Sequence, residues 1–213
     1  MSQGRPLKLP RGALPHLRRS DPGLARVIEQ VGRCRMQVGY AETHLASLVR
    51  AIIYQQLSGK AAATIYGRFR ALYPADRFPS AEEIRRTHHA TLRKCGVSRQ
   101  KQAALRDLCL HVAEGRLPLH DVDEHDDEVL IERLTAVRGI GRWSAQMFLM
   151  FALRRHDVLP VGDLGVRKAM QNIYALPELP KPVEMERIAQ PWRPYCSVAS
   201  WYLWRSLDGI AAL

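Results

Sequence analysis

The residues best placed to do chemistry lie in two short stretches. The first is VRGIGRWSAQ (137–146), a G-x-G turn flanked by arginines and followed at once by a tryptophan. Glycines at 139 and 141 are both able to take positive φ, so the backbone can approach an anion closely. Amides at the start of the next helix then point at that anion, and the helix dipole favours its charge. Arg138 and Arg142 add electrostatic attraction. Such a turn, formed by Arg138, Gly139, Ile140, Gly141 and Arg142, is suited to gripping a DNA phosphate, which fixes register and carries no sequence information. A dinucleotide reading fails, because a helical pattern precedes the turn and Ser144 stands where the third glycine belongs. The second stretch is LPVGDLGVRKAM (159–170). Asp163 precedes a helical pattern, where it would cap the first-turn amides. A helix N-terminus also favours a negative charge, so capping and electrostatic catalysis by this carboxylate are compatible. One helix and one loop separate Trp143 from Asp163, enough chain to return the carboxylate toward the hairpin's own lobe.

The elements that position these residues are helical almost throughout. Asp21-Pro22 reads as an N-cap with proline at the first helical position, followed by Leu24, Val27, Ile28 and Val31, with Gly32 as the stop. Leu45, Leu48, Val49, Ile52 and Ile53 make one apolar face, and Ala62, Ile65, Tyr66, Phe69 and Leu72 another after Gln55-Gln56-Leu57-Ser58. Ser80 to Glu83 spells a capping box. Ser98 caps a helix closed by Gly115, and Asp126 or Asp127 opens one through Val137. A strongly apolar helix runs from Trp143 to about Leu153, another spans 164–174, and the last opens at Pro194 and reaches about Leu207. No strand set and no internal repeat is evident. The expected architecture is all-α, with nine or ten helices arranged as two lobes and an active-site cleft between them. It forms a single domain over 1–213, with a basic N-terminal arm over 1–20, a helix-hairpin-helix at about 127–153, and the N- and C-terminal helices in one lobe.

Composition bounds the partners. Lysine and arginine outnumber aspartate and glutamate by 32 to 21, a net charge of +11, which favours a polyanion, nucleic acid ahead of membrane. No apolar run approaches the roughly 20 residues needed to span a bilayer, and the N-terminus lacks a secretory pattern. The reading is a soluble, cytoplasmic, nucleoid-associated bacterial protein. Cys34, Cys95, Cys109 and Cys196 have no C-x-x-C spacing and the histidines no ligand spacing, so no side-chain metal site is expected.

Hairpin, apolar helix, loop and aspartate in this order resemble the helix-hairpin-helix (HhH-GPD) DNA glycosylases. AIIYQQLSGKAAATIYGRF (51–69), LRKCGVSRQKQAALRDL (92–108) and WRPYCSVASWYLW (192–204) resemble the 3-methyladenine DNA glycosylase II (AlkA-like) branch, so that the likeness covers roughly residues 40–207. The resemblance implies excision of alkylated purines such as 3-methyladenine and 7-methylguanine from double-stranded DNA by a monomer that needs no cofactor. Asp163 takes the position of the catalytic aspartate. Trp143 stands where bifunctional members carry a nucleophilic lysine, which implies a monofunctional enzyme without lyase activity. Trp143 and Trp204 become base-pocket aromatics suited to a cationic purine, with Met147 one turn after Trp143 in place of an aromatic of some relatives. Gln55, Gln56, Leu57 and Ser58 match the wedge region that fills the hole left by an extruded base, with Gln56 and Leu57 as candidates for the wedge itself. Gly96, Ser98 and Lys101 match a second phosphate-contacting turn. Hairpin carbonyls of some relatives hold a monovalent cation, so Na⁺ or K⁺ is the expected ion. The N-terminal β-domain of longer relatives does not fit ahead of residue 40. Two alternatives stand beside this reading: a glycosylase for another damaged base, and a non-catalytic helix-hairpin-helix module that binds DNA.

Overall fold

A computed structural model describes residues 4–39 and 41–208. In chain order the elements are β1 (Arg5–Pro6), α1 (Ala13–Ser20), α2 (Pro22–Val31), β2 (Gln37–Val38), α3 (His44–Tyr54), α4 (Gly59–Arg70), α5 (Ala81–Arg86), α6 (His89–Lys94) and α7 (Arg99–Ala113). There follow α8 (Asp127–Thr135), α9 (Arg142–Phe151), α10 (Leu164–Ile173), α11 (Pro182–Ala189) and α12 (Cys196–Ser206). The described residues thus hold twelve α-helices and one two-stranded antiparallel pair, β1 with β2. The expected nine or ten helices is an undercount, and the small strand pair was not foreseen. None of the described helices is long and apolar enough to cross a membrane.

Local chemistry explains where most helices begin. The carboxylate of Asp21 accepts the Leu24 N–H at 2.9 Å, and Pro22 at the first position needs no donor. Ser80 and Glu83 form the reciprocal capping box at α5. Ser58 and Ser98 cap α4 and α7 through Ala61 and Lys101 amides, both at 3.4 Å. Helix α12 starts two residues later than expected, because its cap is tertiary: the Asp157 carboxylate accepts the Cys196 N–H at 3.2 Å. The segment expected as a basic arm is largely ordered. Residues 13–20 form α1, whose Ala13 and Leu17 are fully buried, and Arg5–Pro6 pairs with Gln37–Val38. Met1–Gln3 lie outside the described residues, as does Tyr40.

The chain divides into two compact units, with the break inside α9. One unit spans 39–148. Its core gathers Leu48, Val49, Ile52 and Ile53 of α3, Phe69 of α4, and Leu105 and Leu108 of α7, all essentially buried. The long α7 packs against α3 and α5 in this unit, and Cys109 on it is buried enough that its thiol is pushed up to about 12 and stays protonated.

The other unit joins the two chain ends, 4–38 with 149–208. Leu17, Leu24, Ile28, Val166, Met170, Trp192, Tyr202 and Leu203 make its core, each large side chain contributing roughly 1.5–3 kcal/mol by burial. The buried Asp21 does more than cap α2. Its second oxygen accepts the Tyr174 hydroxyl at 2.6 Å and the Trp192 indole N–H at 2.8 Å. Burial first, then this carboxylate, hold the Tyr174 hydroxyl above the ordinary tyrosine range, so it remains a donor.

Candidate active site and nucleic-acid interface

The hairpin belongs to the unit spanning 39–148. Val137 and Ile140 are buried, so the turn is anchored by its apolar residues, and the Ile140 side chain belongs to the core. The turn closes with the Ile140 N–H on the Val137 carbonyl at 3.1 Å. Only one of the two glycines needs glycine's conformational freedom. Gly139 has φ of 80° and a Cβ there would sit 3.3 Å from the Ala104 Cβ. Gly141 does not take positive φ, contrary to expectation, and a Cβ there meets open space. Its carbonyl accepts the Ala145 N–H at 3.0 Å, which places it at the N-cap of α9. A glycine at that position brings no side chain to cap the first-turn amides. Arg138 and Arg142 are exposed, and Arg142 pairs with Glu128 at 2.6 Å.

Trp143 follows with 48 % of its surface exposed, the most open of the described large aromatic residues of this helix. Met147, partly buried, lies one turn further along the same face. The loop after α3 leaves Gln56, Leu57 and Ser58 exposed, Leu57 at 39 %. Gln56 holds φ of 56°, a left-handed conformation uncommon for a residue with a Cβ. The Gln55 side chain turns sideways and donates to the Gly139 carbonyl at 2.8 Å.

Three residues expected at phosphates have other occupations. Gly96, with φ of 95°, ends α6 and packs on Ile65, whose Cγ1 would lie 3.0 Å from an added Cβ. The Ser98 hydroxyl is the α7 cap. The Lys101 ammonium donates to the carbonyls of Ile53 at 2.7 Å and Gln55 at 2.8 Å, because those carbonyls at the end of α3 lack intrahelical partners.

Asp163 belongs to the other unit, 4–38 with 149–208. It is buried at 9 % exposure and caps α10, its Oδ1 accepting the Val166 N–H at 2.8 Å. The same oxygen accepts the indole N–H of Trp204 at 2.8 Å. Trp204 stacks on Phe151 with ring centroids 6.1 Å apart and an interplanar angle of 22°. The tryptophan therefore has a polar job beside any base contact: it orients the carboxylate. Gly165 makes this possible, since a Cβ there would stand 3.0 Å from Trp204 Cδ1 and 3.1 Å from Asp163 Oδ1. Gly165 is absent from the residues expected at the site, and its signal in the sequence is a glycine at the second position of a helix. Among the described residues no cluster of three or more metal-binding side chains occurs.

The model of the HhH-GPD superfamily base excision DNA repair proteins matches residues 49–194, well over half of the chain. The chain is also 34 % identical over 193 residues to DNA-3-methyladenine glycosylase 1 of Schizosaccharomyces pombe, covering 90 % of this chain and 85 % of that protein. The chain belongs to the HhH-GPD superfamily. Within it, the relatives place the chain in the DNA-3-methyladenine glycosylase family of base excision repair enzymes. A solved 3-methyladenine DNA glycosylase of the same yeast, in complex with abasic DNA, is similar with TM-score 0.79 and 33 % identity, over 92 % of this chain and 96 % of that one. A DNA-3-methyladenine glycosidase from Bacillus halodurans is similar with TM-score 0.82 and 34 % identity, over 98 % and 94 % of the two chains. For this HhH-GPD glycosylase, Gly165→Ala is a sharp probe of the carboxylate's setting. Alanine is the better helix former by about 1 kcal/mol. The indole must nevertheless move off Asp163, and base excision should fall about tenfold. Unchanged excision in a folded variant would show that the Trp204 bond has no part in catalysis.

Proposed function

We propose that the protein is a monofunctional DNA glycosylase that extrudes alkylated purines of the 3-methyladenine and 7-methylguanine kind from double-stranded DNA and hydrolyses their N-glycosidic bond. The observation that carries this reading is Asp163, seated at a helix N-terminus with its Oδ1 held by Trp204 and Val166 in a chain of the 3-methyladenine glycosylase family. Alkylation at a ring nitrogen leaves the purine cationic. The C1′–N bond breaks with its electron pair leaving on the base, which neutralises that charge. A positive sugar develops, and a fixed carboxylate stabilises it without reorganising. Water adds to C1′ and gives up a proton, with Asp163 as orienting group or base.

The hairpin supplies the grip. Exposed Gly139 and Gly141, the N-terminus of α9 with its dipole, and Arg138 and Arg142 suit a phosphate. Arg142 would exchange Glu128 for that phosphate, a small cost at an exposed pair. Trp143, about half exposed, offers aromatic surface to a cationic base. Of the two wedge candidates, Gln56 is favoured by its left-handed backbone at an exposed loop, since strain of that kind tends to be kept where function uses it. The Val137, Gly139 and Gly141 carbonyls each accept one N–H and keep a second lone pair. A Na⁺ or K⁺ ion bound there would supply positive charge toward the same phosphate.

The test is release of free base from duplexes that each carry one defined lesion. Release from alkylated purines with the abasic strand left intact is the expected result. Borohydride added during turnover should trap no covalent enzyme–DNA adduct, because tryptophan cannot form the Schiff base that a lysine forms. A trapped adduct would overturn the monofunctional part; absence of release from every alkylated duplex would favour a binding module.

A further inference from the structure

We propose that Lys101 is a positioning residue that, through Gln55, locks the 55–58 loop to the hairpin, so that one helix, α7, sets the geometry of both DNA-facing loops; this rests on the glycosylase reading above. Lys101 sits in the first turn of α7, where a cation opposes that helix's own dipole. Its position is explained by its partners, Ile53 O and Gln55 O, at the C-terminal end of α3. Burial pulls its ammonium below the ordinary lysine range, as expected of a group turned inward.

The Gln55 carbonyl belongs to the peptide that leads into Gln56, the residue with the left-handed backbone. Holding that oxygen fixes the loop at its strained point. From the same residue the side-chain amide reaches the Gly139 carbonyl at 2.8 Å. Further along α7, Ala104 backs Gly139, and the Asp107 carboxylate accepts the Arg138 N–H at 2.7 Å. Lys101, Ala104 and Asp107 are three residues apart, the spacing that puts side chains on one helical face. A single face therefore holds the loop, the amide strut and the hairpin. Bond breaking in an extruded nucleotide demands that backbone grip and wedge act at a fixed separation, and small misplacements are costly.

Lys101→Met and Gln55→Ala, alone and combined, test this. Gln55 is partly exposed, so its variant keeps the argument testable even if Lys101→Met fails to fold. Single-turnover excision from a duplex with one alkylated purine should fall about tenfold or more in each single variant. Affinity for the same duplex undamaged should change less than about threefold, because the hairpin amides and arginines remain. The double variant should be no worse than the poorer single one, since the two residues act in series. Unchanged excision in Gln55→Ala, or losses that multiply in the double variant, would overturn the proposal. Hydrogen exchange over 55–58 and 137–141 separates it from the function reading. Faster exchange there in both single variants supports the lock even if the native chain releases no base, and unaltered exchange removes it.

Discussion

Asp163→Asn should fold normally and excise alkylated purines about 10³-fold more slowly than the native chain. The fold should survive because asparagine is among the best N-cap residues, so its side-chain oxygen can still accept the Val166 amide. The same oxygen can keep the Trp204 indole N–H. What disappears is the negative charge, and with it the stabilisation of the developing sugar cation. Single-turnover release of base, compared at matched thermal stability, measures the effect. Asp163→Ala is the less informative variant. It removes the cap as well, costs about 1 kcal/mol of stability, and leaves the Trp204 N–H to find another acceptor. Excision by the asparagine variant within a few-fold of native would sink the assignment of Asp163.

The largest loss of stability is expected elsewhere, at Asp21→Ala. That substitution removes the α2 cap and leaves the Tyr174 hydroxyl and the buried Trp192 indole N–H without their acceptor. Each buried donor left unsatisfied costs about 1–3 kcal/mol and the cap about 1 kcal/mol, for a total of roughly 3–7 kcal/mol. For a chain of this size the melting temperature should fall by about 10 °C or more. Asp21→Asn should lie between, since its oxygen serves one side of the network while its amide faces the donors on the other. A shift of under about 2 °C for Asp21→Ala would mean that water or a rearranged partner replaces the carboxylate.

The two aspartates illustrate what the sequence makes legible. Asp21-Pro22 and Asp163 both stand before apolar periodicity, so their capping role follows from local pattern alone. The Ser80 box and the Ser98 cap are read in the same way. Their tertiary partners are not, because Trp204 lies 41 residues from Asp163 and Trp192 lies 171 from Asp21. Only the packing of α12 against α10, and of the 190–192 turn against α1, brings such pairs together. Helix α1 is not legible in the sequence, because Pro15 sits within it and only Ala13 and Leu17 are buried, a stripe too short to show a period. Pro15 is tolerated in the first turn, where no intrahelical donor is needed. The Lys101 contacts are equally illegible, since spacing identifies a basic residue near a turn and says nothing of two carbonyls 46 and 48 residues away. Gly139 is the converse case: the G-x-G pattern gave the turn, and only the fold distinguishes the glycine that needs its φ from the one that keeps the surface bare.

The unit that carries Asp163 is assembled from two segments, 4–38 and 149–208, that flank the other unit in the sequence, and this orders events during synthesis. Helices α1 and α2 leave the ribosome with Leu17, Leu24 and Ile28 awaiting Val198, Tyr202 and Leu203, which are made more than 160 residues later. The segment 39–148 emerges in between, with a core of its own, and is free to fold first. Closure of so long a loop is slow relative to local contacts. The catalytic carboxylate of the proposed enzyme is thus the part of the machinery completed latest, after the elements proposed to hold DNA have already been made.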